Sequence, residues 1–106
     1  MTRYANVTYY IFLEAFVDAF NNRFLMFHGL SQMLDCAEKE IRIKIAAWVG
    51  LSRTSIDSVE RHPKPSSHMF KAMSEQFPTF PLKRLVVFFQ VLGRNDLIKI
   101  VCEAAH

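Results

Sequence analysis

The stretch IRIKIAAWVGLSRTSIDSVERHP, residues 41–63, decides the fold class. Ile41, Ile45, Trp48 and Val49 recur at helical spacing, and the stripe stops at Gly50, a residue free to adopt positive φ and close a helix. Ser52 follows as an N-cap, its hydroxyl placed to accept a backbone N–H of the next turn, with Leu51, Ile56 and Val59 as the inward face of a second helix. Pro63 and Pro65 end that helix near His62, because neither can donate to a continuing helix and each pushes its predecessor out of the α region. A helix, a glycine turn, a capped helix and a proline stop are the punctuation of an all-α chain.

Outward from this stretch the period stays helical, and no segment shows the strict alternation of a strand. Upstream, Tyr9, Leu13, Phe16, Val17 and Phe20 share one face of a helix expected over residues 7–20, opposite Tyr10, Glu14, Asp18 and Asn21, with Asn21 and Asn22 at its end. Its aromatic face is expected to join the core. Residues 24–36 continue as a helix with Phe27, Leu30 and Leu34 inward and Gly29 as a weak point. Downstream, Ser66 or Ser67 is expected to cap a helix carrying Met69, Phe70, Met73 and Phe77, and Thr79 to cap the next, with Pro81 in its first turn. That helix has Leu82, Leu85, Val86, Phe89 and Leu92 on one face and Val87, Phe88 and Val91 on the other, so it is expected to run through the centre of the domain until Gly93 closes it. Met69, Phe77, Phe80 and Phe88 are expected in the core. Asn95 is expected to cap a last helix with Leu97, Ile98 and Val101 inward.

The chain has 106 residues, 51% hydrophobic, with 3 Gly and 4 Pro, which fits one packed domain and excludes a disordered or collagen-like chain. Cys36 and Cys102 are too few and too far apart for a disulfide framework, so both are expected as buried thiols in a cytoplasmic protein. Glu14 and Asp18 interrupt the apolar N-terminal stretch, which argues against membrane insertion, and the sequon at Asn6 has meaning only in a secreted protein. Lys and Arg number 13 against 10 Asp and Glu, a mild net charge of +3. One local exception is residues 61–71, where Arg61, His62, Lys64, His68 and Lys71 fall with no acid among them.

Catalytic and metal chemistry find little to use. There is no Gly-rich loop, no H-E-x-x-H and no G-x-S-x-G. His62, His68, Cys36 and Cys102 lack the short spacing of structural zinc ligands, and Glu38 with Glu40 reads as a solvated helix start rather than an acid–base pair. No enzyme activity and no cofactor is expected.

Residues 45–52, IAAWVGLS, followed by Ile56, Val59 and Glu60, resemble the L-A-x-x-L-G-L-S-x-x-x-I-x-x-I-E signature of the death domain. The downstream half is similar as well: Pro65-Ser66-Ser67, an apolar helix, then residues 82–92 and Gly93-Arg94-Asn95-Asp96-Leu97-Ile98, with the family's G-R-x-D-L ending. That ending is most similar to the death domains of innate-immune adaptors, Pelle-type kinases and the paracaspase N-terminal domain, and it also fits the R-x-D-L of death-effector domains. The chain departs from the family where many members carry Trp, having Arg42 and residues 73–75 there, and its only tryptophan is Trp48. The resemblance implies a six-helix death-fold bundle over residues 24–106, with residues 1–23 as an additional helix packed on it.

The function it implies is a non-enzymatic module for homotypic protein–protein contacts, building signalling oligomers in innate immunity or apoptosis. Three regions are carried over as partner-binding candidates. Arg53, Asp57, Arg61, His62 and Lys64 would face Asp35, Glu38 and Glu40 of a neighbour, and Arg94, Asn95 and Asp96 would meet Glu75 and Gln76. The implied partners are other death-domain proteins, in homo- or hetero-oligomers, with a kinase or protease recruited downstream. The alternatives are a basic helical domain that binds nucleic acid through residues 61–71, a death-effector-type domain, or a decoy of the same fold. Paired prolines inside the basic cluster argue against a recognition helix there.

Overall fold

Helix follows helix in the computed structural model, which describes residues 14–104. Among these are seven: α1 (Phe16–Asn22), α2 (Phe24–Asp35), α3 (Lys39–Val49), α4 (Arg53–Glu60), α5 (Pro65–Gln76), α6 (Leu82–Val91) and α7 (Asn95–Ala104). No strand is present among the described residues, so the all-α expectation holds, with one helix ahead of Arg23 and six after it.

The central helix is α5, not α6. It packs against α1, α2, α3 and α4, with Met69, Phe70 and Met73 fully buried. α6 packs mainly on α7 and buries Leu82, Leu85, Val86 and Phe89, one stripe at i, i+3, i+4 and i+7. Its other apolar stripe faces outward, with Val87 47% and Val91 67% exposed, since none of the described helices packs over that side. Phe77 and Phe88 are half-buried against the core, while Met69 and Phe80 lie within it.

The first helix is shorter than its periodicity implies. Tyr9, Tyr10 and Leu13 lie outside the described residues. Glu14 and Ala15 are not helical: Ala15 is extended and forms an antiparallel bridge with Pro81. The Phe16 N–H donates to the Phe80 carbonyl at 2.7 Å and the Leu82 N–H to the Glu14 carbonyl at 3.1 Å. This bridge satisfies the first N–H of α6, a group without an acceptor inside its own helix. It also explains why Thr79 is not the cap, a position taken by Pro81 in extended conformation. From Phe16 onward the aromatic face does enter the core. Phe16 is fully buried, its ring 5.2 Å from Phe27, 5.9 Å from Phe70 and 6.2 Å from Phe80. Arg23, between α1 and α2, donates from Nε to both Glu14 carboxylate oxygens at 3.1 Å and clasps the short helix at both ends.

The punctuation around residue 50 is as expected. Gly50 has φ 113° and ψ 14°, and the Ser52 hydroxyl accepts the Ser55 N–H at 3.1 Å. At α5 the cap comes from elsewhere: Pro65 opens the helix, Lys64 precedes it, and Asp35 at the end of α2 accepts the Ser66 N–H at 2.9 Å. Ser66 is therefore inside the helix, fully buried, and its hydroxyl has no hydrogen-bond partner in the structure. Asn95, the expected cap of α7, is already its first helical residue, and the Arg94 carbonyl accepts the Leu97 and Ile98 N–H groups. Of the two thiols, Cys102 is buried and Cys36 is exposed at the end of α2.

In α3 the buried stripe is rotated from the expected one. Arg42, Ile45, Ala46 and Val49 face inward, Ile41 is half-buried, and Trp48 is 42% exposed. The rotation is driven by Arg42, whose guanidinium has a partner waiting. It donates to Glu60 at 3.1 and 2.8 Å and to the Leu34 carbonyl at 2.9 Å, joining α3, α4 and the end of α2. The Glu60 hydrogen bonds raise the Arg42 pKa against the opposing effect of burial. Among the described residues no helix is long and apolar enough to cross a membrane.

Candidate interaction surfaces

The charged candidates sort into residues that face solvent and residues the fold already uses. Arg53 and Asp57 lie on α4, exposed, beside a shallow apolar cleft lined by Ile43, Ala47 and Ile56. Arg61, His62 and Lys64 are exposed in the turn that Pro63 and Pro65 force between α4 and α5. The His62 ring stacks on His68 from the first turns of α5, with centroids 3.3 Å apart. Desolvation holds the His68 pKa below the ordinary histidine value, helped by His62 and Lys71, with Glu75 pulling the other way.

The acidic corner divides. Asp35, although exposed, accepts the Ser66 N–H two residues beyond Lys64, so one acidic candidate adjoins the basic turn of its own chain. Glu38 precedes α3 in extended conformation and Glu40 lies in its first turn, both exposed. A negative charge there is favoured by the unpaired N–H groups of the helix start.

At the third region Arg94 and Asp96 pair with each other. Nε donates at 2.9 Å and Nη2 at 2.6 Å, a bidentate bridge across the start of α7 that holds the Asp96 carboxyl below its usual range. Arg94 also shares a shallow cavity with Glu38. Asn95 between them is exposed. Glu75 and Gln76 are exposed at the end of α5, where Gln76 Nε2 donates to Ser55 Oγ of α4 at 3.4 Å. Among the described residues, Arg53, Asp57, Arg61, Lys64, Glu38 and Glu40 enter no ion pair.

Two features escaped the sequence. One is the Arg42–Glu60 pair. The other is an apolar surface formed by the outward stripe of α6, Arg84, Val87, Phe88 and Val91, with Trp48 of α3 beside it. The indole and the Phe88 ring are 5.1 Å apart, and the residues line a cavity of about 470 Å³. The signal was present, since residues 84, 87, 88 and 91 repeat the i, i+3, i+4, i+7 spacing of the buried stripe two positions later, but a helix apolar on both faces reads as buried.

These features define an all-helical protein with charged and apolar surfaces presented to solvent. Among the described residues no three His, Cys, Asp or Glu side chains are grouped as a metal site requires. Compared with known proteins, the chain matches no family model, no curated protein and no solved structure.

Proposed function

We propose that this chain is a protein-interaction domain of the death-fold kind, which associates with domains of its own class through opposite charges and brings signalling enzymes together without catalysing a reaction itself. The observation that carries the reading is exposed charge without an internal partner: Arg53, Arg61 and Lys64 around α4, with Asp57 among them, and Glu38 and Glu40 at the start of α3, with Lys39 between them, none in an ion pair among the described residues. The motif order supports it, since Gly50, Ser52 and the Gly93–Asp96 turn each fall at a helix boundary. A basic patch that meets an acidic patch elsewhere on the next copy makes a heterologous contact, which adds copies without closing on itself. Rim charges of this kind set register and partner choice more than affinity.

The internal pairs sharpen the assignment. Asp35 is committed to α5 and Arg94 to Asp96, so the contact rests on Arg61 and Lys64 against Glu38 and Glu40. Light scattering across concentration and salt tests it. The expected mass grows past a dimer and falls as salt is added. The double variants R61E/K64E and E38K/E40K are each expected to be monomers with unchanged thermal midpoints, and their equimolar mixture to assemble again, because one variant then carries two acidic patches and the other two basic ones. A strict monomer under all conditions, or assembly indifferent to both reversals, overturns the reading.

A further inference from the structure

We propose that the outward stripe of α6 and the Trp48 indole form a docking groove for an acidic amphipathic helix from another protein. The surface is apolar at its centre and cationic at its edge. Val87 and Val91 are 47% and 67% exposed, Trp48 is 42% exposed, and Arg84 completes the lining of the cavity. Lys83 lies one turn before Val87 on α6 and Lys44 one turn before Trp48 on α3, both exposed, while α6 and the five residues ahead of it contain no acid. A partner that buries apolar anchors here therefore meets positive charge around them, and carboxylates flanking those anchors complement it. The spacing fits a helix: a stripe at i, i+3, i+4 and i+7 beside a large ring gives a groove that receives anchors of the same period. Trp and Arg are also residue types that concentrate binding energy at interfaces.

Charge selects this occupant over the others. A second copy docking through the same face brings Lys83, Arg84 and Lys44 of both copies into one interface, with no acid among the lining residues to pair them. The N-terminal residues 1–13 of this chain carry Arg3 and no acid, so they offer nothing to the cationic edge. An anionic bilayer shares the charge, and phosphatidylserine vesicles in the test below separate it from a peptide.

Trp48, the only tryptophan in the chain, is a built-in reporter. The test is selection of a displayed library of amphipathic helices on the full chain, followed by titration of the recovered peptides against Trp48 fluorescence. The expected result is enrichment of helices with Asp or Glu flanking apolar residues at i, i+3, i+4 and i+7. Their binding shifts Trp48 emission to the blue and weakens at least tenfold in V91K and in R84E, two exposed substitutions that leave the thermal midpoint unchanged. Recovery of no helix, enrichment without acidic bias, or binding indifferent to both substitutions overturns the proposal. So does a Trp48 shift produced by phosphatidylserine vesicles in place of peptide, or self-association abolished by V91K. The reversals at Arg61, Lys64, Glu38 and Glu40 lie outside this groove, so failure here and failure of charge-driven assembly are separate results.

Discussion

Aromatic rings run through this molecule from the middle of α5 to its surface, and the two ends of that run have opposite fates. Phe16, Phe27 and Phe70 meet in pairs at 5.0 to 5.9 Å, enclosed by α1, α2 and α5. Phe80 continues the run to Phe88 at 6.2 Å, and Phe88 reaches Trp48, where one side of the indole faces solvent. The chemistry of the rings is the same at both ends. What differs is how many of the described helices cover them, since α5 packs against four and α6 mainly against one. Hydrophobic burial is limited by the supply of covering surface, and a short chain with 51% apolar residues has some left over. The inner rings therefore contribute to stability, while the outer pair stays accessible at the surface.

Truncation separates the two ends. Phe16→Ala removes a fully buried ring that meets four other phenylalanines, and the expected loss is about 3–5 kcal/mol, a large share of a small domain's stability. Urea denaturation of the full chain measures it. A loss under about 1 kcal/mol means that α1 lies on the core without belonging to it, and the comparison collapses.

The Arg42–Glu60 pair is the next test, because it lies between core and surface, with side-chain exposures of 9% and 18%. Arg42→Ala leaves Glu60 without its partner and the Leu34 carbonyl without its donor, and the expected cost is about 2–3 kcal/mol. The double variant Arg42→Met with Glu60→Leu is expected to recover most of that cost, since apolar replacement of a buried pair is often close to neutral. If the single variant loses less than about 0.5 kcal/mol, the pair is a solvated contact and the inward rotation of α3 has another cause.

This pair also shows where a sequence stops being legible. The boundaries at Gly50 and Ser52 are set by neighbours within a few residues, so local chemistry names them in advance. The face that α3 buries depends on Glu60, 18 positions away, and the cap of α5 on Asp35, 31 positions away. A stripe drawn to exclude a charged residue therefore misplaced Arg42 and Trp48 together, by one step around the helix. The two apolar stripes of α6 were both visible, but only packing decides which is covered. Of the candidate charges, exposure was legible and prior commitment was not: Arg94 pairs with Asp96, and Asp35 accepts the Ser66 N–H.

On the outer side, Trp48→Ala is expected to cost only about 1 kcal/mol, because the indole packs on Phe88 and keeps much of its surface in water. A double-mutant cycle with Phe88→Leu measures the ring–ring coupling directly, and about 0.5–1.5 kcal/mol is expected of an aromatic pair. A loss comparable to that of Phe16→Ala makes Trp48 a core residue and removes the groove as a surface open to a partner.

The smallest expected effect lies at the basic turn. His68 has its pKa lowered by desolvation first, then by His62 stacked on it and by Lys71, against the pull of Glu75. A histidine whose folded value is below its unfolded one binds protons more readily when the chain is unfolded. Its neutral form is therefore accommodated at full stability above the ordinary histidine range, and stability declines as pH falls through that range toward the folded value. The thermal midpoint is expected to drop slightly between about pH 7.5 and about pH 5, and His68→Gln to flatten that dependence. Proton NMR of the ring provides the direct reading: a His68 midpoint above the ordinary value means that protonation is welcomed at the turn, and the stacked pair then holds the α4–α5 corner through charge rather than through packing of its neutral ring.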